Sequence, residues 1–204
     1  MVSLTLSARQ SYLPSTFQQR KLWKIEALRS SEDLQSAKEA WHKVFIDHDP
    51  YRVAFTEQIS QHTVFYPTTP CGLTEPQYQA VIQAAKNSGD SGFVLLANDW
   101  DKPVGGRHKA WWCAFPSYKQ YQKLLTVPCE HALYSIHGHW GVLTSDARHA
   151  LVGGDPLFIQ AIQRTYPMWQ KDLRALRSTW KGQLDSAWVH RISPINRTPV
   201  TESE

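Results

Sequence analysis

The sequence has no apolar run of membrane-spanning length: Phe93-Val94-Leu95-Leu96-Ala97 is typical of its longest, far below the roughly 20 residues a bilayer requires. No basic-then-apolar segment follows Met1, so no secretory leader and no membrane association are expected, and the cytoplasm is the expected location. Cysteine is scarce. Cys71, Cys113 and Cys129 are an odd number with no C-x-x-C spacing, which supports neither a disulfide framework nor a zinc ribbon; reduced, buried thiols are expected. Catalytic signatures are also missing. No G-x-S-x-G, H-E-x-x-H or D-x-D-x-D-G occurs, nor any P-loop or strand-G-x-G-x-x-G-helix unit, which excludes the familiar serine hydrolases, zinc peptidases, calcium loops and nucleotide binders. No cofactor is expected.

What is present suits a globular chain. The 204 residues are 42% hydrophobic and 20% charged, enough for one substantial core. Residues 1–184 are expected to form one domain, and the Ser, Pro, Asn and Thr density from Asp185 onward predicts a flexible tail over residues 185–204. The net charge of +4 is uneven: residues 164–197 hold seven cations against Asp172 and Asp185. A basic stretch of this kind meets nucleic acid or an acidic protein surface, although a simply solvated helix face is commoner.

Periodicity gives the elements. Val2–Ser7 alternates like an edge strand. Ser31 to Phe45 places Leu34, Ala37, Trp41, Val44 and Phe45 on one helical face, with acids leading and a lysine closing. Thr74-Glu75-Pro76-Gln77 announces a capped second helix with Tyr78, Val81, Ile82 and Ala85 inward, ended by Gly89. Gly92 to Ala97 and Lys109 to Phe115 read as strands, and Pro116 to Leu125 as a short helix. Helices from Leu157 to Tyr166 and Met168 to Lys181 follow, the latter with a Trp169, Leu173, Leu176, Trp180 stripe edged by Lys171, Arg174, Arg177 and Lys181. The fold class expected is α+β, with a mainly antiparallel central sheet and flanking helices.

Four of the nine histidines fall between His131 and His149, which raises the question of a metal centre. Glycine at Gly138 and the Ser145-Asp146-Ala147-Arg148 stretch predict two tight turns, hence a three-stranded meander from His131 to Gly153. Two-residue loops pair Leu133 with Val142, Ser135 with Trp140, Thr144 with His149 and Val142 with Leu151. One face then carries His131, Leu133, Ser135, Trp140, Val142, Thr144, His149 and Leu151, with His139 opposite and His137 in the turn. Both faces are apolar, so the sheet is expected to be covered on each side. His131 and His149 sharing a face are only two ligands, too few for zinc, and no metal is expected. Asp155 and Pro156 read as an N-cap and first turn whose carboxylate repels phosphate, so Gly153-Gly154 is not read as a nucleotide cradle.

The stretch "ALYSIHGHWGVLTSDARHALVGGDPLFIQAI", residues 132–162, resembles a segment of small bacterial toxin-immunity proteins of the Smi1/Knr4 (SUKH) class, in its Trp-Gly hairpin, its strand ending in Gly-Gly and its helix with Phe-Ile. The resemblance implies a non-catalytic binder that neutralises a cognate toxin in the cytoplasm. The residues themselves point to binding, since nine tryptophans supply material for interface anchors. The alternatives are an enzyme whose site is assembled from scattered residues and a nucleic-acid-binding module using the basic C-terminal helix. The contact surface is expected on the long loop between the two strands, with Asp99, Trp100, Asp101, Lys102, Arg107 and His108 as partner-binding residues: an aromatic flanked by charges is the usual make-up of an anchor. Folding of Trp100 back onto the core is the competing expectation.

Overall fold

A computed structural model describes residues 25–51, 54–70, 72–97, 110–125 and 130–180. Among them are seven strands and five helices in the order β1 (Ile25–Ala27), α1 (Ser31–Val44), β2 (Gln61–Phe65), α2 (Glu75–Asn87), β3 (Phe93–Ala97), β4 (Ala110–Cys113), α3 (Tyr118–Leu124), β5 (His131–Tyr134), β6 (Trp140–Thr144), β7 (Ala150–Gly154), α4 (Pro156–Thr165) and α5 (Trp169–Thr179). All strands join one antiparallel sheet in the order β1-β4-β3-β5-β6-β7-β2. The α+β class and the antiparallel meander are as the sequence predicts. Among the described residues no helix is long and apolar enough to cross a membrane.

Local chemistry starts the helices. The Thr74 and Gln77 pair forms a capping box at α2, Ser117 and Gln120 form another at α3, and the Asp155 carboxylate accepts from the Phe158 N–H at α4, 2.8 Å away, with Pro156 in the first turn. The helices lie on both faces of the sheet. On the first face, Ala37, Ala40, Trp41 and Val44 of α1 and Leu173 and Leu176 of α5 pack with Tyr134, Leu143 and Leu151. On the second, Tyr78 and Val81 of α2, Tyr121 of α3 and Phe158 and Ile162 of α4 pack with Leu95, Leu133, Trp140 and Val142. Every residue of β5, β6 and β7 is buried, as a sheet covered twice demands.

Gly141 and Gly153 are cross-strand partners on β6 and β7. A Cβ on Gly141 would come within 2.5 Å of Val44 and Phe45, and one on Gly153 within 2.6 Å of Ile59. The bare backbone of these two glycines is the floor on which Phe45, Phe55 and Ile59 rest, which is why the first face needs no large side chain there.

The second hairpin corrects the expected register. Thr144 pairs with Ala150 and Val142 with Val152, one residue beyond the predicted partners. The loop has three residues, not two: the Arg148 N–H donates to the Ser145 carbonyl (3.2 Å), the Ser145 N–H donates to the His149 carbonyl (2.8 Å), and Arg148 occupies the left-handed region at φ 64°. A type I turn followed by one left-handed residue is the usual three-residue hairpin loop. Arg148 is held there from outside the hairpin, since the Thr68 N–H donates to its carbonyl (2.8 Å) and its Nε donates back to the Thr68 carbonyl (3.2 Å). The slip moves Ala150 and Val152 onto the second face and Leu151 onto the first. The first hairpin keeps the expected register, with Leu133 opposite Val142.

Two strands were not foreseen. β2 docks beside β7, pairing Thr63 with Val152, and β1 adds three residues beside β4. The predicted Val2–Ser7 strand and the residues 185–204 tail lie outside the described residues.

Candidate functional site

The slip also separates the histidines that the sequence placed together. His131 lies on the second face, where its Nε2 is 2.9 Å from the Tyr121 hydroxyl and its Nδ1 is 2.8 Å from the Thr144 hydroxyl. His149 is buried beneath Tyr51 and Trp180, its Nε2 3.3 Å from the Pro50 carbonyl. Of the shared face expected for His131, Thr144 and His149, the first two keep it, and His149 alone leaves it, because the extra loop residue turns it over. Among the described residues no three His, Cys, Asp or Glu side chains are grouped closely enough to hold a metal ion.

The His131 chain is satisfied from end to end. The Leu73 N–H donates to the Tyr121 hydroxyl (3.2 Å), the hydroxyl can donate to Nε2, and the Thr144 hydroxyl donates to the His131 carbonyl (3.0 Å). A neutral imidazole carrying its proton on Nδ1 completes this pattern. Burial raises the Tyr121 hydroxyl far above its ordinary pKa, so the phenol stays protonated.

The most unusual electrostatics lie at the opposite end of the meander. The C-terminus of α2 closes with Gly89 at φ 85°, the Gly89 N–H donating to the Lys86 carbonyl (3.0 Å) and the Asp90 N–H to the Ala85 carbonyl (3.1 Å). This Schellman pattern fixes Asp90 and turns its side chain inward. One carboxylate oxygen accepts from the Trp140 indole at 2.6 Å, and the other from the Ser135 hydroxyl at 3.0 Å. Nε2 of His137 stands 3.9 Å from that second oxygen, and the His137 and His139 rings stack with centroids 5.9 Å apart. Burial pushes Asp90 up to about 6, against the pull of its two hydrogen bonds; burial likewise lowers His137, helped by His139 and Lys43.

Sequence reasoning missed Asp90, which sits in an unremarkable Ser-Gly-Asp-Ser-Gly stretch. The one available signal was Trp140: a tryptophan in the middle of a buried strand needs an acceptor for its N–H.

A third polar group ties α5 down. Asp172, buried on an otherwise basic helix, accepts from the Tyr66 N–H (3.0 Å) and the Tyr166 hydroxyl (3.0 Å). Burial raises its pKa, and the hydrogen bonds from Tyr66, Tyr166 and Gln77 oppose the shift. On the outward face of α5, Lys171, Arg174 and Arg177 are exposed, and Leu173 and Leu176 are buried beneath, as the predicted stripe requires. Trp169 and Trp180 at the stripe's ends are half-buried. Cys113 is a buried free thiol, while Cys71 and Cys129 lie outside the described residues. So do the expected contact residues Asp99, Trp100, Asp101, Lys102, Arg107 and His108, although the strands that the loop joins are in place. No family model, no curated protein and no solved structure matches the chain.

Proposed function

We propose that the protein acts by binding another protein, as a cytoplasmic immunity protein that neutralises a cognate bacterial toxin by direct contact. The observation that carries this reading is where the chemically capable side chains point. Asp90, Tyr121, His131, Thr144 and Asp172 are each 7% exposed or less and are bonded to neighbouring parts of the fold. Such groups specify structure rather than meet a substrate. The outer face of α5, by contrast, offers Lys171, Arg174 and Arg177 to solvent over an apolar underside, which favours an acidic partner surface. The loop residues from Asp99 to His108 are proposed as further contacts on the strength of their composition.

The test is titration calorimetry of the full chain against the product of an adjacent toxin gene, with duplex DNA and RNA in parallel and toxin rescue in cells. A stoichiometric complex with rescue is expected, weakened at least about tenfold by reversing the charges of Lys171, Arg174 and Arg177, and by ~2 kcal/mol in Trp100→Ala. Tighter association with nucleic acid than with the protein would replace the reading with the nucleic-acid one. Absence of both complex and rescue overturns it.

A further inference from the structure

The β5–β6 turn closes over a buried carboxylate. The Asp90 side chain is 1% exposed, and the groups around it come from four elements. The turn contributes His137 and His139; α1 contributes Lys43, next to His137; the α4 cap contributes Asp155; and the end of α2 holds Asp90 itself. Lys86, also at the end of α2, lies over the Phe115 ring at 5.4 Å.

The turn is held tightly on the α1 side. Gly138 sits at φ 82°, and a Cβ there would come within 2.6 Å of the Lys43 Cβ. On the α4 side the Asp155 N–H donates to the His139 carbonyl at 3.2 Å. Ser135 links turn and carboxylate, since its hydroxyl donates to Asp90 and accepts from the His137 N–H at 3.1 Å. The residues 137–139 therefore join helices on opposite faces of the sheet, with one carboxylate beneath them.

We propose that the His137-Gly138-His139 turn is a proton-operated latch, whose seating against α1 and α4 is set by the charge shared between Asp90 and His137. With no proton on the pair, the carboxylate is held by Trp140 and Ser135 and the imidazole is neutral. One proton, on either partner, removes the uncompensated buried charge and draws His137 from 3.9 Å toward hydrogen-bond distance. The His137 ring stacks on the exposed His139 ring with centroids 5.9 Å apart, so a shift of His137 toward Asp90 alters that stack and the turn between the two rings. The balance needs no other reactant: protons come from solvent. The surface altered is the outer end of the sheet.

Heteronuclear NMR of the full chain from about pH 5 to about pH 8 tests this, since an unperturbed histidine titrates inside that range. The Trp140 indole N–H, assigned by its loss in Trp140→Phe, donates directly to Asp90 and reports its charge. Its resonance is expected to shift with the same midpoint as the His137 ring protons, and the amides of residues 137–139 to move in the same range. Asp90→Asn flattens the indole titration and displaces the His137 midpoint. His137→Gln, which keeps the carboxylate, displaces the indole midpoint, so the proposal stays testable if Asp90→Asn does not fold. An indole resonance constant across the range overturns the latch, as does an unchanged midpoint in His137→Gln.

Discussion

The two ends of the meander β5–β6–β7 solve one problem in different ways. Each must bury polar side chains where a doubly covered sheet runs out. At one end His131 is held between Tyr121 and Thr144 by neutral groups alone; at the other Asp90 brings an ionisable acid under Trp140 and Ser135. Both are hydrogen-bonded and both are buried, yet Asp90 is an acid whose pKa burial raises to about 6, while the side chains that hold His131 are hydroxyls. Satisfying hydrogen bonds is thus not the same as removing electrostatic cost: two donors at 2.6 and 3.0 Å still leave Asp90 up at about 6.

The contrast is broken most severely at Trp140. Its ring stacks on Phe158 with centroids 5.1 Å apart and planes 5° from parallel, and its N–H holds Asp90. Trp140→Ala removes a fully buried ring and leaves the carboxylate one donor short, and a loss of about 3 to 5 kcal/mol is expected in urea denaturation at neutral pH. A loss below about 1 kcal/mol would mean the core collapses onto the space and that Asp90 finds water.

Asp90→Asn sharpens the comparison by making the two ends alike. The folded chain binds a proton on Asp90 between the ordinary aspartate value of 3.8 and about 6, a range in which the unfolded chain does not. Stability from this group is therefore greatest below that window and falls as pH rises through it, reaching a penalty of roughly 3 kcal/mol at neutral pH. Asp90→Asn should gain roughly 1 to 3 kcal/mol over the natural chain at pH 7, and the gain should vanish near pH 4. Equal destabilisation at both pH values would show that the charged hydrogen bonds outweigh burial. His137 runs in the opposite sense: burial lowers its pKa, so its contribution is lost as pH falls below the ordinary 6.5, and the two titrations partly cancel in the natural chain.

The smallest effect is expected at the neutral end. Tyr121→Phe deletes the hydroxyl that bridges the Leu73 N–H and His131 and leaves both buried groups short of a partner. A loss of about 1 to 2 kcal/mol is expected, with the same value at pH 6 and pH 8 because burial keeps the phenol protonated throughout. A pH-dependent loss would place a charge on His131 and undo the distinction between the ends.

Much of the architecture was legible where the deciding interactions are local. A capping box joins residues three apart, so Thr74 and Gln77 announce α2 on their own, and Asp155 with Pro156 announces α4 in the same way. Unbroken apolar character on both alternating sets of β5, β6 and β7 signals cover on each face. The second turn is ambiguous in the sequence because Ser145-Asp146-Ala147-Arg148 suits a two-residue and a three-residue loop equally. The choice was made by Thr68, eighty residues away, which holds Arg148 in the left-handed conformation.

The sequence by itself therefore determined the α+β class, the helix starts, the first hairpin's register and the stripe that seats α5, because each follows from hydrogen bonds or periodicities spanning only a few residues. Only the tertiary structure decided that β2 pairs with β7, that His149 turns away from His131, and that an aspartate in a Gly-Ser loop lies beneath Trp140. Those outcomes depend on contacts between distant segments, and the pKa of Asp90 depends on burial, which no short stretch of sequence contains.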